Sequence, residues 1–394
     1  MPDGYSHIVV GAGTVGAAAA YWLTQRGAER VLVLEQYDLL HPYGSFSDHS
    51  RIIRRVYQST DYVGLSDAMF ETWAHIERAS GLPVYTRTGG LDMAKEGSSG
   101  EEYMLKARHA MDEVGVPYED LSAADIRERF PQWHIADDTS GIYQKDTGIL
   151  DVRRSVSAHT SLALGAGVDF LSNTKVNGIS LRQSGVRVRT SSGSFDADHL
   201  IVAAGSWLGE LMSDLGLNYN LTLSQEQVSY FSSKDLAAFA PGKHPVWIHH
   251  GEDSVYYGFP VYGEAATKIA RDLRGRFISS EDRVFEGDVV EGEILAEFLR
   301  KYLPAAAGPA LAHKTCVYDM PPDRGFVLGS LPGHPHVSVF NGAGHAAKFG
   351  SLVGQILADL QTSGSTPHEI GAFSLDRPAI TDSNYPSTFK IGTE

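Results

Sequence analysis

The stretch IVVGAGTVG, residues 8–16, decides the fold of this chain. A short apolar strand leads into glycines spaced as Gly-x-Gly-x-x-Gly, and a helix rich in small residues follows at 17–23. A second apolar strand, residues 31–34, then ends at Glu35. Strand, glycine turn, helix, strand and terminal acid in this order predict a βαβ unit that binds a dinucleotide.

The three glycines and the acid each have a physical role in such a unit. Gly11 permits the turn, Gly13 lets backbone amides approach a pyrophosphate, and Gly16 lets the helix pack on the strand. The positive end of the helix favours the phosphate charge. Glu35 stands where an acceptor for ribose hydroxyls belongs, which argues for the free ribose of NAD or FAD over a 2′-phosphate. This fingerprint does not separate NAD from FAD.

Composition limits the class of protein. The chain has 394 residues, a formal net charge of −15 and one cysteine. The length predicts two to three domains, or one large two-domain enzyme. The acidic charge disfavours nucleic acid and anionic membranes as partners. No stretch approaches the roughly 20 apolar residues of a membrane span, and the N-terminus lacks the basic start of a signal peptide. We therefore expect a soluble, cytoplasmic protein without nucleic-acid or membrane partners.

The rest of the chain alternates strand-like and helix-like runs. Strand-like runs at 168–171, 185–190 and 199–205 predict that the nucleotide-binding domain returns in mid-chain. The segment 221–268, rich in aromatic and β-branched residues, predicts a substrate-binding sheet. The segment after Leu375, rich in Pro, Ser and Thr, predicts an extended tail that lies on the surface or on a partner.

Six motifs follow one another along nearly the whole chain. They are GAGTVG at 11–16, GSFSDHSRIIR at 44–54, YYGFP at 256–260, Lys268, Cys316, and GHAAKF at 344–349. In this order they resemble the flavin-dependent amine oxidases of the monomeric sarcosine oxidase and N-methyltryptophan oxidase type, within the D-amino-acid oxidase superfamily. The resemblance implies an α/β fold with a Rossmann-like FAD-binding domain and an α+β substrate domain built on a large antiparallel sheet. It implies a discontinuous FAD-binding domain, 1–85, 150–217 and 320–394, and a substrate-binding domain, 86–149 and 218–319.

The resemblance also implies that FAD is covalently bound, through a thioether from Cys316 to the isoalloxazine ring. Taken alone, a single cysteine is more often a buried small hydrophobe, but the surrounding motif favours the covalent site. Besides the three glycines and Glu35, we expect FAD contacts from further positions along the chain: Ser45, Arg51, Val176, Gly205, Gly344, His345 and Lys348.

Two arginines and a lysine are the candidate substrate-binding cations. Arg51 and Arg54 are three residues apart, so a helical segment would place both guanidiniums on one face. On composition alone they would be solvated surface residues. The resemblance places Arg51 beside the flavin and makes Arg54 grip the substrate carboxylate together with Lys348. A guanidinium and an ammonium suit a carboxylate, so we expect an amino acid derivative as substrate.

Three further residues are candidates for the chemistry. A strand lysine usually points to solvent, but the resemblance places Lys268, through a water, against the reactive edge of the flavin, where a cation favours electron transfer to dioxygen. Tyr257 matches a tyrosine near the substrate, or is an ordinary sheet aromatic. Asp272 stands where sarcosine-type enzymes carry a histidine. It either pairs with a cationic or hydrogen-bonding substituent of the substrate or is a surface acid beside Arg271.

The block at 44–51 departs from the pattern that it resembles. The family block is Gly-Ser-His-His-Gly-Asp-Thr-Arg, whereas this chain has Gly-Ser-Phe-Ser-Asp-His-Ser-Arg. The histidine near the flavin is thus replaced by Ser47. Because of these departures, N-methylglycine is a less secure substrate here, and cyclic imino acids and sugar-modified amino acids stay open.

The predicted reaction is the oxidation of a secondary amino acid to an imine, which hydrolyses, while dioxygen becomes hydrogen peroxide. We expect no metal, because there is no HExxH motif and no zinc-type ligand cluster. The expected partners are the amino acid and dioxygen, and the expected state is a monomer. Lys268 argues against a dehydrogenase that uses a quinone or carrier protein. Cys316 and the Arg51 block argue against a pyridine-nucleotide dehydrogenase, and the intact carboxylate grip argues against a non-catalytic flavin-binding subunit.

Overall fold

The computed structural model describes residues 4–391, and the predicted βαβ unit lies in its first sheet. Parallel pairing joins neighbouring strands of this unit, and a parallel sheet covered on both faces requires nearly continuous apolar strands. The eight strands are β1 (Tyr5–Val10), β2 (Val31–Leu34), β9 (Asp169–Leu171), β10 (Val176–Leu181), β11 (Val186–Thr190), β12 (Gly193–Val202), β19 (Val327–Leu331) and β20 (His334–Asn341).

Two helices pack together on this sheet. Helix α1 (Thr14–Gln25) follows the glycine turn, and α8 (Gly350–Ser363) follows β20. The absence of a side chain at Gly354 lets them approach closely, since a Cβ there would lie only 2.5 Å from the Cβ of Ala18. The start of the nucleotide-binding unit is thereby fixed against the C-terminal part of the chain.

A nine-stranded sheet carries the other half of the molecule. Its neighbouring strands pair antiparallel, except for the parallel pair formed by Gly90–Lys95 and Val246–His250. The segment 221–268 contributes four of its strands, as its β-branched and aromatic composition predicts. The strands are β5 (Gly90–Lys95), β6 (Glu119–Ser122), β7 (Thr139–Gln144), β13 (Thr222–Phe231), β14 (Val246–His250), β15 (Val255–Phe259), β16 (Thr267–Arg271), β17 (Arg276–Phe277) and β18 (Ala310–Met320).

A three-stranded sheet, β3 (Ser50–Ile53), β4 (Tyr85–Arg87) and β8 (Gly148–Asp151), contains Arg51. The helical hypothesis for residues 51–54 is therefore wrong. The β-branched residues Ile52 and Ile53 favour a strand, and β3 pairs antiparallel with β8.

The remaining elements connect and cover the sheets. The other helices are α2 (Thr60–Gly64), α3 (Ser66–Ser80), α4 (Ser99–Val114), α5 (Ala123–Arg129), α6 (Val152–Gly165), α7 (Val289–Tyr302) and α9 (Pro378–Thr381). Short 3-10 helices lie at Gly205–Glu210, Leu236–Phe239, Pro304–Ala306, Ala346–Phe349 and Gly371–Phe373. Among residues 4–391, none of the helices combines the length and apolarity that crossing a bilayer requires.

The first part of the segment after Leu375 is not the predicted extended tail, because it contains α9, the side chain of Ile380 is buried in the core of the first sheet, and Arg377 pairs with Asp323 at 2.6 Å. Residues 382–391 contain no helix or strand and most of them are exposed, as predicted. Further along, the Thr388 amide donates to the Pro322 carbonyl oxygen at 2.8 Å. The segment therefore docks on the protein. Two short segments lie outside the described residues. They are residues 1–3, at the N-terminus that lacks the basic start of a signal peptide, and residues 392–394, at the end of the predicted tail.

Candidate active site

One cavity of about 870 Å³ brings the predicted site residues together. Ligand sites typically enclose roughly 300 to 1,000 Å³, so this one suits a large ligand. Of the predicted residues, only Gly16 is not on its wall. The others that line it are Gly11, Gly13, Glu35, Ser45, Arg51, Arg54, Val176, Gly205, Tyr257, Lys268, Asp272, Cys316, Gly344, His345 and Lys348.

The glycine turn forms one end of the cavity. Gly11 has a φ of 97°, and a Cβ there would lie 2.5 Å from the Ala203 carbonyl oxygen. A Cβ at Gly16 would lie 1.8 Å from the Gly11 carbonyl oxygen, so Gly16 serves the contact between helix and strand. Gly13 is the N-cap of α1, and no side chain caps the helix. The first amides of α1 therefore face the cavity side of the turn as donors for a phosphate.

Glu35 is fixed at the carboxyl end of β2. Its Oε2 accepts the Ala12 amide at 2.9 Å, its Oε1 accepts the Tyr37 amide at 3.0 Å, and the Nε2 of His41 lies 3.3 Å from Oε1. A carboxylate oxygen accepts more than one hydrogen bond. The fixed, buried carboxylate can therefore still accept ribose hydroxyls.

Cys316 lies on β18, directly across from Glu226 of β13. Burial raises the pKa of the Cys316 thiol, whereas Arg51 acts in the opposite direction. Another wall residue, His345, has a buried Nδ1 without a hydrogen-bond partner among the described residues. The residues of this cavity fit FAD with its ring system near Cys316. They provide the uncapped N-terminus of α1 for the phosphates, Glu35 for the ribose, the unpaired Nδ1 of His345 and the Cys316 thiol.

The block at 44–51 is hydrogen-bonded to the strand that contains Cys316. The Ser45 hydroxyl donates to the Val317 carbonyl oxygen at 2.9 Å. Arg51 donates to the carbonyl oxygens of Ser45 at 2.5 Å and Ser50 at 2.9 Å. These bonds hold the Arg51 guanidinium at the cavity wall beside the cysteine.

Arg54 and Lys348 meet around one aromatic ring. The Arg54 Cζ lies 4.6 Å and the Lys348 Nζ 5.7 Å from the centroid of Tyr57. Arg54 has one acidic neighbour, Asp92, at 3.4 Å, while the Lys348 Nζ donates to the His345 carbonyl oxygen at 2.8 Å. Within residues 4–391 no carboxylate lies within 4.0 Å of that Nζ. Burial, and next the charge of Arg54, lower the pKa of Lys348 well below its usual value. Arg54 is paired with Asp92, whereas Lys348 has no carboxylate of its own among residues 4–391, so the two cations form a site for an added anion.

Asp272 is neither exposed nor paired with Arg271. Its oxygens each accept a hydrogen bond of 2.8 Å from Arg324, whereas Arg271 pairs with Glu291. The surface-acid alternative is therefore wrong. Burial alone would raise the pKa of Asp272, but Arg324 outweighs it and the pKa is lowered. Arg324 also lines the cavity, and sequence reasoning missed it because a Pro-Pro-Asp-Arg-Gly turn is typical of a surface loop.

Tyr257 belongs to the cavity wall and not to an ordinary sheet surface. It hydrogen-bonds Tyr318, a second wall residue that sequence reasoning missed. Burial is the main reason that the pKa values of both hydroxyls are raised. Both hydroxyls therefore stay protonated and remain hydrogen-bond donors.

Lys268, on β16, is buried at the wall. Its Nζ lies 2.5 Å from the Oδ2 of Asp48. Burial lowers the pKa of Lys268 to about 8, although Asp48 acts in the opposite direction. Sequence reasoning missed Asp48. The one available signal was an acid at the fifth position of the block 44–51, where the family block has glycine.

The comparisons with known proteins agree on the class of fold. The family model described as FAD dependent oxidoreductase matches residues 6–360. The monomeric sarcosine oxidase of Streptomyces avermitilis is 33% identical over 388 residues, 96% of this chain and 99% of the relative. The N-methyl-L-tryptophan oxidase of Citrobacter koseri is 30% identical over 380 residues, 95% and 99% of the two chains.

Two solved structures are also similar. One is NikD, described as an unusual amino acid oxidase essential for nikkomycin biosynthesis, with a TM-score of 0.83, 25% identity and 99% of each chain covered. The other is L-proline dehydrogenase from P. horikoshii, with a TM-score of 0.83, 18% identity and coverage of 95% of this chain and 97% of that one. At this identity the likeness is evidence for the fold and not for the activity. The predicted α/β fold, a Rossmann-like FAD-binding part with a second part built on a large sheet, is confirmed.

Proposed function

The chain belongs to the family of FAD-dependent oxidoreductases, and from this premise we propose that it oxidises the secondary amine of an amino acid with dioxygen as electron acceptor. The amine, water and dioxygen give a primary amine, a carbonyl compound and hydrogen peroxide. FAD supplies the redox chemistry when it is bound, accepting two electrons from the substrate and passing them to dioxygen. Its proposed attachment is a thioether to Cys316.

The observation that carries this proposal is the pair of cations around Tyr57. Arg54 is paired with Asp92, and Asp272, whose charge also acts on Lys348, is paired with Arg324, so Lys348 has no carboxylate of its own in the described part of the chain and a substrate carboxylate would supply the missing negative charge. Gripping the carboxylate orients the adjacent carbon and amine toward the region of Cys316. The buried hydroxyls of Tyr257 and Tyr318 line the same cavity and limit its shape. The proposed role of Lys268 is to favour the transfer of electrons to dioxygen.

Cyclic imino acids and sugar-modified amino acids are alternative substrates with the same carboxylate. The Asp272–Arg324 pair lies on the cavity wall and is a polar feature that a substituent could meet. A dehydrogenase with another electron acceptor is the alternative reaction, since one solved structure with this fold is named as a dehydrogenase.

A panel of acids and their methyl esters tests the proposed function. We expect peroxide release from N-alkyl or cyclic amino acids, and a kcat/KM about a hundredfold lower for the matched ester. The reason is that a hydrogen bond to a charged group contributes about 1.5–3 kcal/mol, and 1.4 kcal/mol is tenfold. Equal rates for acid and ester would contradict the carboxylate grip. Reduction of a dye without peroxide would favour the dehydrogenase.

The lowered pKa of Lys348 predicts how anion binding depends on pH. A carboxylate binds the protonated lysine, so its binding is coupled to proton uptake wherever free Lys348 is neutral. The Kd of methoxyacetate, an ether analogue of N-methylglycine, should therefore rise with pH, by up to tenfold per unit. Perturbation of the flavin spectrum measures this Kd. Lys348→Met should bind more weakly with a flatter profile, and an unchanged slope in this variant would contradict the assignment.

We also propose a discontinuous FAD-binding domain, 1–85, 150–217 and 320–394, and a substrate-binding domain, 86–149 and 218–319, acting as a monomer. The arrangement of strands supports these boundaries. All residues of the eight-stranded sheet fall in the first set, and those of the nine-stranded sheet fall in the second apart from Met320. The three-stranded sheet spans both sets, because the borders at 85/86 and 149/150 fall within β4 and β8.

A further inference from the structure

A buried carboxylate lies next to the lysine that faces the cavity. Asp48 is 5% exposed, and unlike Lys268 it does not line the cavity wall. None of the steps above uses it. A buried ionised group needs partners that compensate for lost hydration, so its contacts indicate what it does.

The ammonium of Lys268 has three N–H donors, and the structure provides three acceptors. They are the Oδ2 of Asp48 at 2.5 Å, the carbonyl oxygen of Ser50 at 2.9 Å and the Oγ of Ser50 at 3.1 Å. No donor is left for a ligand in the cavity unless one of these bonds is exchanged. Lys268 therefore acts on the cavity through its charge, at a fixed position.

Asp48 is itself held from other sides. The Tyr230 hydroxyl donates to its Oδ1 at 2.8 Å, and the Lys314 Nζ lies 3.3 Å from the same oxygen. Burial alone would raise the pKa of Asp48, but Lys268 and then Arg51 outweigh it and hold the pKa well below its usual range. Asp48 is thus a permanent negative charge in contact with Lys268.

We propose that Asp48 is a positioning residue for Lys268: it fixes the ammonium at the cavity wall and keeps it protonated at the pH at which the reduced enzyme reacts with dioxygen. This role rests on the oxidase activity proposed above. The family block has glycine at the position of Asp48. The carboxylate is therefore a departure of this chain from the motif that it otherwise resembles.

Among the surrounding groups, Asp48 is the one that keeps the Lys268 ammonium protonated. Burial and the charge of Arg51 both favour the neutral amine, and Asp48 opposes them. Among the described residues, no other carboxylate lies within 4.0 Å of the Lys268 Nζ. The other titratable or charged groups around the pair are Arg51 from β3, Tyr230 from β13, Lys314 and Cys316 from β18, and Glu264 from the loop before β16.

Asp48→Asn tests this role in the oxidised holoenzyme without turnover. A lysine that titrates beside the flavin changes the visible spectrum, so the spectrum is recorded from pH 6 to 10. In the wild type we expect a midpoint near the Lys268 pKa of about 8. The midpoint should be absent in Lys268→Met and at least one unit lower in Asp48→Asn, because the favourable charge is lost. An unchanged midpoint in Asp48→Asn would overturn the role.

Reoxidation of the reduced enzyme by dioxygen, measured by stopped flow, is the second readout. At pH 8 the rate constant of Asp48→Asn should be at least about fivefold below that of the wild type, since a lysine with a midpoint at pH 8 is half protonated there and one with a midpoint one unit lower is about one-tenth protonated. The rate constants of the variant and the wild type should converge at low pH, where Lys268 is protonated in both. An equal loss at every pH would show a merely structural effect. If the wild type makes no peroxide, the proposed function fails, and the spectral titration still decides the role of Asp48.

Lys314→Met provides a variant with the opposite expected sign, should Asp48→Asn not fold. Lys314 is partly exposed, and it shares Asp48 with Lys268 while also pairing with Glu264. Removing this competing cation should raise the spectral midpoint of Lys268. A midpoint that falls or stays constant in Lys314→Met contradicts the proposed electrostatic role of Asp48.

Discussion

Cys316→Ala is expected to release the flavin completely on acid denaturation, whereas the wild type retains it on the protein. Cys316 is the one cysteine of the chain, so no second thiol can replace it. It lies on the cavity wall, and although burial raises the pKa of its thiol, the charge of Arg51 opposes that rise and favours the thiolate that a thioether bond requires. The other proposed FAD contacts, at the glycine turn and Glu35, remain in the variant. We therefore expect a protein that binds FAD reversibly.

The measurement is the visible spectrum of the protein fraction after acid precipitation and removal of small molecules. Thr315→Val is the matched control, because the neighbouring Thr315 is buried on the same strand but does not line the cavity, and its flavin should stay attached. Flavin in the filtrate of the wild type would contradict the covalent site while leaving an FAD enzyme. Flavin retained by Cys316→Ala would place the attachment at another residue.

The parts of the fold that depend on local sequence were predictable. The βαβ unit follows from a strand, a glycine turn and a second strand within 28 residues, and Gly16 has a local steric reason, because a Cβ there would meet the Gly11 carbonyl oxygen. The strands of the substrate-binding sheet follow from β-branched and aromatic runs. The part of the C-terminal segment around α9 was predicted wrongly because its composition does not reveal that Ile380 fits the core of a distant sheet.

The site was predictable where a motif specifies it, and not where distant segments pair. Asp48 and Lys268 are 220 positions apart, and Asp272 and Arg324 are 52 apart. Neither ion pair has a spacing that local periodicity can detect, because the register of the sheet and the path of a loop bring the partners together. Both pairs change the chemistry at the cavity wall. The carboxylate near each cation determines how much positive charge the cavity contains.

Lys268→Met is expected to slow the reaction of the reduced enzyme with dioxygen by about 10²–10³, the usual effect of removing one preorganised electrostatic group. Reduction by the amino acid substrate should change by only a few fold, because the proposed carboxylate site at Arg54 and Lys348 does not include Lys268. Stopped-flow measurement of the two half-reactions separates these effects. Equal slowing of both would indicate a general distortion of the site.

The buried partner of Lys268 makes a second variant necessary. Lys268→Met leaves Asp48 ionised without its closest cation, and removing one member of a buried pair typically destabilises a protein by about 3–5 kcal/mol. Asp48→Asn combined with Lys268→Met removes both charges and should recover most of that stability in urea unfolding. If the missing ammonium causes the slow reaction with dioxygen, the double variant remains slow. If the double variant regains the wild-type rate, the unpaired carboxylate caused the loss, and Lys268 is not the group that assists dioxygen.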